Sequence, residues 1–275
     1  MDGFLELLRN IPSEEERLDL TYWRCAVDVE LFTLLYFPHY AEYPFNEFHF
    51  NKFSHWRYGE RGIKRVDGAP RGYAKSTLVA LIKPIHDLCY GLEDFIIILS
   101  NTKPQATGKI RDIRNELLNN AKLVEHYGIS FPNKNPGESQ FVVYANDKPT
   151  MFMAAGSGTQ IRGVRFNQHR PTKIILDDVE HSEEVFNEEI RNKHRDWFFE
   201  DVCKAGSKKT NIEFVGTVLH PRALLIDLCK NSAYQSRTIH KSVISWSERE
   251  DLWEQWRRIM LDLEDIEREQ KATNF

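Results

Sequence analysis

The sequence predicts an α/β fold with a mostly parallel central sheet and helices on both of its faces. Apolar runs of strand length alternate along the chain with longer amphipathic segments, which is the pattern of repeated strand–helix–strand units. Phe95–Ser100 is almost wholly apolar, as expected of a strand buried on both faces. Charged residues follow several predicted strands directly, and ligands bind at such strand ends in open α/β sheets.

Length and composition limit the classes of protein to consider. With 275 residues, the chain can bury a sizeable core in one large domain or two small ones. Its formal net charge of −4 means that any surface for DNA has to be a local patch. The four cysteines lack the spacing of a zinc site, which predicts reduced thiols in an intracellular protein. No apolar run is long enough for a membrane span, and the acidic N-terminus does not read as a signal peptide.

Residues 1–60 are predicted to form a helical N-terminal segment. Ser13 and Glu16 have the spacing of a capping box, which would open a helix to about Leu35. Its apolar face would contain Leu18, Tyr22, Cys25, Val29 and Phe32. A second helix, from Phe48 to about Trp56, is rich in aromatic residues and contains His49. It could hold an adenine by stacking, or its aromatic side chains could simply pack the helix on the sheet.

Residues 69–77, Ala-Pro-Arg-Gly-Tyr-Ala-Lys-Ser-Thr, predict a phosphate-binding loop between a strand and a helix. Lys75 supplies a charge for the β- and γ-phosphates, and Ser76 supplies a hydroxyl for Mg²⁺. Alanine replaces the usual glycine at the first and sixth positions, although alanine tolerates a positive φ poorly. The predicted nucleotide contacts are Ala69, Pro70, Arg71, Gly72, Tyr73, Ala74, Lys75, Ser76 and Thr77.

The middle of the chain predicts a long helix, a hairpin and a basic loop. The helix should run from about Gln105 to Tyr127. The hairpin should pair Gln140–Tyr144 with Thr150–Ala154. The loop that follows is rich in glycine and carries Arg162 and Arg165 with no nearby acid. These arginines could contact the phosphates of a neighbouring subunit's nucleotide or of DNA, or they could be ordinary surface residues.

A cluster of acids follows the aliphatic strand that begins at Lys173. Asp177, at the strand end, is suited to hold Mg²⁺ together with Ser76. Hydrolysis also needs a carboxylate that orients the attacking water. Position favours Asp178 for this role, whereas reach favours Glu180, and the sequence leaves both open. A helix of mixed charge, about Glu183 to Lys204, should follow.

Two further strands complete the predicted core of residues 61–246. Asn211–Gly216 ends in Thr217, which could contact the γ-phosphate or the attacking water. Arg237–Ser245 would be the last strand of the sheet. Residues 247–275 are acidic and predict a lid or linker helix, beside a tryptophan-rich stretch that starts at Trp246.

Three of these motifs, in this order, resemble the large terminase subunit of tailed bacteriophages. They are the phosphate loop, the Ile-Arg-Gly-Val-Arg stretch that leads into Ile-Ile-Leu-Asp-Asp, and the strand end Val-Gly-Thr-x-Leu-His. The resemblance covers about Asn46 to His220. It implies a P-loop fold of the ASCE type, with ATP and Mg²⁺, that moves double-stranded DNA into procapsids. It also implies a ring of subunits on the portal, a small terminase subunit as partner, and the host cytoplasm as location.

The resemblance also suggests roles for individual residues. By position, Arg71 would be the arginine of the phosphate loop and could act in cis. Asp177 would be the Walker B aspartate, and Thr217 would fall in the coupling motif. Arg162 would lie near the family's trans-acting arginine finger. The family's catalytic glutamate is replaced here by Asp178, so Asp178 and Glu180 both remain candidates for the base.

A complete large terminase continues into a nuclease domain, and the residues after Ser245 are too few for one. We therefore expect an ATPase region whose nuclease is separate or missing. Two other interpretations remain open. One is a helicase-like ATPase, although that type needs a second RecA-like domain. The other is a nucleotide-gated DNA-binding or assembly module with little turnover alone.

Overall fold

The computed structural model describes residues 9–132, 137–241, 249–262, 265 and 267–274. The chain forms two compact units, Met1–His240 and Lys241–Phe275. The second unit contains the helices Glu250–Leu261 and Arg268–Asn274. No helix in the described part of the chain is long and apolar enough to cross a membrane. The domain boundaries expected at 60/61 and 246/247 stay predictions.

The first unit is built around a seven-stranded sheet with the order β3-β4-β2-β5-β6-β1-β7. All neighbouring strands are parallel except β3 and β4. The α/β class and the mostly parallel sheet are therefore confirmed. β6 lies between the strand of the phosphate loop and the strand that ends in Asp177, which is the arrangement of the ASCE type. The strands are β1 Lys64–Gly68, β2 Phe95–Ser100, β3 Gln140–Ala145, β4 Lys148–Gly156, β5 Lys173–Asp177, β6 Asn211–Gly216 and β7 Ser236–Ile239.

Both faces of the sheet are covered, because its central strands are apolar on both sides. In β2, Ile96 and Ile98 belong to one buried cluster, whereas Ile97 and Leu99 belong to the other. This is the period of two that a strand imposes on its side chains. The helices are α1 Glu14–Val27, α2 Val29–Tyr36, α3 Glu47–His55, α4 Lys75–Thr77, α5 Lys83–Cys89, α6 Lys103–Asn119, α7 Ala121–Tyr127, α8 Glu188–Trp197, α9 Cys203–Ala205, α10 Leu224–Cys229, α11 Glu250–Leu261 and α12 Arg268–Asn274.

Three predicted helices begin or end at other residues than expected. In each, a polar side chain within the predicted span caps the start of a helix. The helix expected to reach Leu35 is broken at Asp28, whose Oδ1 accepts a hydrogen bond from the Leu31 N–H. The helix expected to reach Tyr127 is broken at Asn120, which caps α7 in the same way. The helix expected from Glu183 begins at Glu188, capped by Asn187. Within α1, Leu18 is half exposed and lies off the buried face.

Other predicted elements are observed nearly as expected. The second predicted helix is α3, which begins at Glu47 after its cap Asn46, and the two predicted hairpin strands are β3 and β4. Their turn is Asn146–Asp147, and both residues have a positive φ of 47° and 63° respectively. The last strand, β7, covers the first part of the predicted Arg237–Ser245 segment, and residues 242–248, including Trp246, lie outside the described residues.

Two local features position the helices beside the phosphate loop. The helical segment 75–89 contains a π-turn, Leu78–Ile82, between α4 and α5. In this turn the Lys83 N–H donates to the Leu78 carbonyl, and Pro84, which has no N–H to donate, follows directly. At the end of β4, a Cβ on Gly156 would lie 2.8 Å from the Lys103 backbone nitrogen. Glycine therefore lets α6 begin against the sheet edge.

Candidate active site

The carboxyl ends of the central strands surround a cavity of about 500 Å³. The chain segments after β1, β2, β5 and β6 each contribute to its wall, and one face of α6 closes it. This is the location predicted from the positions of the motifs along the sequence. The lining residues include Arg71, Asn101, Gln105, Gly108, Lys109, Asp112, Asp177, Asp178, Glu180 and Thr217.

The phosphate loop connects β1 to α4 at the edge of this cavity. Ala69 is buried, and its N–H donates to the Gly216 carbonyl at 3.0 Å, which ties the loop to β6. Gly72 has a φ of +84°, and Ala74 has a φ of +49°. The sixth position of the loop thus keeps the left-handed conformation although it holds alanine. Tyr73 packs at the edge of the apolar core, and Thr77 lies half-buried in α4.

Lys75 is held inside its own loop. Its Nζ donates to the Pro70 carbonyl at 3.0 Å and to Thr217 Oγ1 at 3.2 Å. Burial lowers the pKa of Lys75, although the nearby carboxylates of Asp178 and Asp177 raise it. The bond to Thr217 connects the phosphate loop with the end of β6. A phosphate that binds Lys75 would compete for the same ammonium protons.

Asp177 and Ser76 both contact Lys109, and their shared role as ligands of Mg²⁺ stays a prediction. Asp177 is fully buried, and its Oδ2 accepts a hydrogen bond from Lys109 Nζ. The same ammonium donates to Ser76 Oγ at 3.3 Å. Lys109 therefore bridges the two side chains expected to hold Mg²⁺.

The donor set fits Mg²⁺. Mg²⁺ prefers oxygen ligands, and in nucleotide sites one or two protein oxygens are sufficient because phosphates and waters complete the shell. Asp177 Oδ1 is buried and has no hydrogen-bond partner among the described residues. Such an orphan oxygen is what a bound ion with its waters would satisfy. In the described part of the chain, no group of three or more His, Cys, Asp or Glu side chains could hold a metal ion.

Asp178 faces the cavity from a strained backbone. Its φ is +50°, a conformation that aspartate adopts more readily than most residues but that is still uncommon. Its backbone is fixed on both sides, by bonds to the Val215 carbonyl and from the Asn101 N–H. Its Oδ1 accepts from the Thr217 N–H at 3.1 Å, and the side chain remains exposed. One carboxylate oxygen is thus anchored while the other is available to a water.

Glu180 has a different local task. Its Oε1 accepts from the Leu224 N–H at 2.8 Å, and its Oε2 accepts from the Leu225 N–H at 3.1 Å. These N–H groups belong to the first turn of α10, where a carboxylate also interacts well with the helix dipole. Although Glu180 lines the cavity, both of its oxygens already serve as the cap of this helix.

The predicted arginines lie in three different places. Arg71 is exposed and lines the cavity. Arg162 does not line it, and its Nε donates to Asp201 Oδ1 at 2.9 Å. The expectation that no acid holds this arginine locally was wrong, because Asp201 comes from a distant part of the sequence. Arg165 lines a separate cavity, with Asp94 and Thr172, beside the amino ends of β2 and β5.

His49 is used mainly to cap α3. Its Nδ1 accepts from the Asn46 N–H at 3.1 Å, which closes a capping box. Burial lowers its pKa and favours the neutral ring. The neighbouring Phe48 contacts the ring of His240, next to the end of β1, but His49 does not line the cavity. Its role as an adenine contact stays a prediction.

Sequence reasoning assigned no function to the wall formed by α6. Gln105, Gly108, Lys109 and Asp112 have the i, i+3, i+4, i+7 spacing of one helix face. That spacing was visible as a polar stripe beside the strand end at Ser100. It did not reveal that the stripe faces β5, because only the sheet order brings β2 next to β5.

Comparisons with known proteins give similarities of structure only. No family model matches the sequence, and no curated protein matches it. Among solved structures, a mutant large terminase ATPase domain of a Thermus phage is 12% identical, with a TM-score of 0.49 over 87% of this chain and 94% of that chain. A large terminase of a thermophilic bacteriophage is 13% identical, with a TM-score of 0.48 over 80% of this chain and 52% of that chain.

The Phi-28 DNA packaging motor is 10% identical, with a TM-score of 0.37 over 78% of this chain and 64% of that chain. Structures of the thermophilic phage terminase in complex with ATP-gamma-S and with ADP also match. At these identities and TM-scores, the neighbours do not assign an activity to this chain.

Proposed function

We propose that this chain is a Mg²⁺-dependent ATPase whose turnover drives the translocation of double-stranded viral DNA. The observation that supports hydrolysis is that Asp177, Asp178 and Thr217 line one cavity. Lys75 and Ser76 do not line it, but they are hydrogen-bonded to Thr217 and Lys109, which do. The order of the three motifs along the sequence supports the more specific assignment to DNA packaging.

Each of these side chains has a task in hydrolysis. Lys75 meets the β- and γ-phosphates when it leaves the Pro70 carbonyl and Thr217. Asp178 orients the attacking water with the oxygen that Thr217 does not hold. Arg71 neutralises charge that develops on the phosphoryl group. Ser76 and Asp177 would hold Mg²⁺, which supplies positive charge to the phosphates when bound.

The first test is ATP turnover by the purified protein and by Lys75→Ala and Asp177→Ala. Both variants should fall to background, because one loses the phosphate cation and the other loses the buried carboxylate. Lys208→Ala, an exposed lysine in the turn before β6, is the matched control and should hydrolyse ATP as the wild type does. Near-normal hydrolysis by either site variant, with circular dichroism showing an intact fold, would contradict the proposed site.

ATP turnover measured at increasing protein concentration, with and without DNA, distinguishes a ring-forming DNA motor from a nucleotide-gated binding module. A motor that works as a ring should gain specific activity as subunits assemble, and DNA should increase it further. A nucleotide-gated binding module should bind ATP without such a gain. In a ring, Arg162 could reach a neighbouring subunit only after it leaves Asp201.

A further inference from the structure

Lys109 lies where a cation is needed before any ligand arrives. Its side chain crosses from α6 to the ends of two other elements and is only 21% exposed. Its Nζ donates to Asp177 Oδ2 at the end of β5 and to Ser76 Oγ at the start of α4. These two oxygens are the protein ligands expected for Mg²⁺.

We propose that the Lys109 ammonium holds the magnesium position while no nucleotide is bound, and that it has to leave before Mg²⁺ can bind there. This inference rests on the proposed function, because it concerns the ion of the same site. Mg²⁺ contacts its oxygen ligands at about 2.0–2.1 Å and keeps several waters. An ammonium group that is hydrogen-bonded to both side chains occupies the space those contacts and waters would need.

Electrostatics explains why the empty site requires a substitute cation. Asp177 is fully buried, and a carboxylate buried without a counter-charge is strongly unfavourable. Lys109 is the partner that the structure shows for Asp177 Oδ2, whereas Lys75 is turned toward Pro70 and Thr217. The lysine therefore supplies the counter-charge for Asp177 and holds its side chain in place until the ion arrives.

Asp112 is an alternative ion-pair partner for Lys109. Asp112 is exposed, lines the same cavity and follows three residues later on α6. Side chains three residues apart on a helix are neighbours, and lysine has a flexible four-carbon stem. Lys109 can thus move from Asp177 to Asp112 by rotating its side chain, without any change in the backbone of α6.

Two consequences follow for the catalytic cycle. The nucleotide-free protein should bind divalent ions weakly, because Lys109 competes for the site. After hydrolysis, the return of Lys109 to Asp177 should favour loss of the ion together with ADP. Lys109 is therefore a positioning residue that sets the affinity for the ion.

Metal binding tests this directly and requires no turnover. Free Mn²⁺ is measured by electron paramagnetic resonance during titration of the nucleotide-free 275-residue protein. Lys109→Met and Lys109→Gln should bind Mn²⁺ at least about tenfold more tightly than the wild type, since each removes a charge-assisted competitor. Arg111→Met removes the same charge from an exposed position on the same helix and should leave the Mn²⁺ affinity unchanged.

Every outcome bears on the inference. If the Lys109 variants fold only when Mg²⁺ or Mn²⁺ is present, the ion replaces the ammonium and the inference is supported. If they fold without any gain in Mn²⁺ affinity, or fail to fold with and without the ion, Lys109 is only a structural ion pair and the inference is wrong.

Wild-type binding of Mn²⁺ in the presence of ADP serves as the reference. If this binding is seen while the variants gain nothing, only the inference about Lys109 fails. If no protein binds Mn²⁺ even with ADP, the proposed function fails as well.

Discussion

The middle of the sheet and its carboxyl edge contain the same kinds of charged side chain but use them differently. In the middle, Lys52 Nζ lies 2.5 Å from Asp67 Oδ2 and 2.5 Å from Glu213 Oε1, and all three side chains are buried. At the edge, Lys109 and Asp177 also form a close pair, but they face a cavity of about 500 Å³. The difference is whether a ligand has room to replace one partner.

Lys52, Asp67 and Glu213 form a buried cluster of charged side chains that is almost completely paired. Burial raises the pKa of Glu213, but Lys52 and Arg65 lower it more, so that the pKa falls to about 2. Trp56 Nε1 also donates to Glu213 Oε1, at 3.2 Å. Such a network connects α3, β1 and β6 and leaves little for a ligand to bind. At the edge, by contrast, Asp177 Oδ1 has no partner in the described part of the chain, and Asp178 is exposed.

The largest expected effect distinguishes the two acids beside the cavity. Asp178→Asn should bind ATP but hydrolyse it about 10²–10⁴-fold more slowly, because a water-orienting carboxylate contributes that much. Glu180→Gln should lose less activity and about 1 kcal/mol of stability, because it weakens a helix cap. Single-turnover hydrolysis and thermal unfolding of the two variants measure this. Equal, modest rate losses in the two variants would mean that neither acid is the base. The acids at the carboxyl edge would then be structural, like those of the buried cluster.

Lys52→Met tests whether the buried cluster supports the fold. Asp67 and Glu213 would remain buried without their lysine, which should lower the free energy of unfolding by about 3–5 kcal/mol. Urea denaturation followed by tryptophan fluorescence measures the change at pH 7. Lys208→Met, at an exposed position, is the control and should change the free energy of unfolding by less than about 0.5 kcal/mol. A loss of similar size in the control would contradict the assignment.

Glu93 is a buried carboxyl group whose ionisation should destabilise the fold. Burial, and then the negative charge of Asp87, raise its pKa from 4.5 to about 7, and its Oε2 is buried without a partner among the described residues. A carboxyl group with a raised pKa favours folding below pH 4.5 and loses that contribution as pH rises through 7.

Glu93→Gln should therefore match the wild type near pH 4.5 and exceed its free energy of unfolding by on the order of 2 kcal/mol at pH 8. Chemical denaturation at several pH values measures the difference. Asp94→Asn, at the half-exposed neighbouring position, should show no such growing difference. A difference for Glu93→Gln that does not change with pH would show that ionisation of Glu93 is not the cause.

The smallest effect concerns the phosphate loop. Ala74 has a positive φ, which costs a non-glycine residue roughly 1–2 kcal/mol. Ala74→Gly should stabilise the protein by up to about 1 kcal/mol, because it relieves this strain but makes the unfolded chain more flexible. Ala69→Gly is the matched control, since Ala69 does not have a positive φ, and it should destabilise. Melting temperatures that shift in the same direction in both variants would contradict the strain argument.

The sequence by itself determined the parts of this protein that depend on nearby residues. The apolar run before Asp177 predicted a buried strand, the segments Gln140–Tyr144 and Thr150–Ala154 predicted a hairpin, and Lys75-Ser76 predicted a helix start behind a phosphate loop. Periodicity and turn chemistry act over a few residues, so they can be read without the fold. The parallel sheet predicted from the sequence also indicated that Arg71 and Asp177 lie at one edge, and both line the same cavity.

The tertiary structure decided which distant partner each charged side chain meets. Only the sheet order places Lys109 against Asp177, 68 residues apart in the sequence. Similarly, the packing of α10 assigns Glu180 to its cap, and the fold pairs Arg162 with Asp201. An ion pair forms only when its two charged groups lie within about 4 Å of each other. Closing a longer loop costs the chain little extra entropy, so either group could pair with many residues that are distant in the sequence. Contacts of this kind are therefore fixed by the packing of the whole domain and not by local sequence.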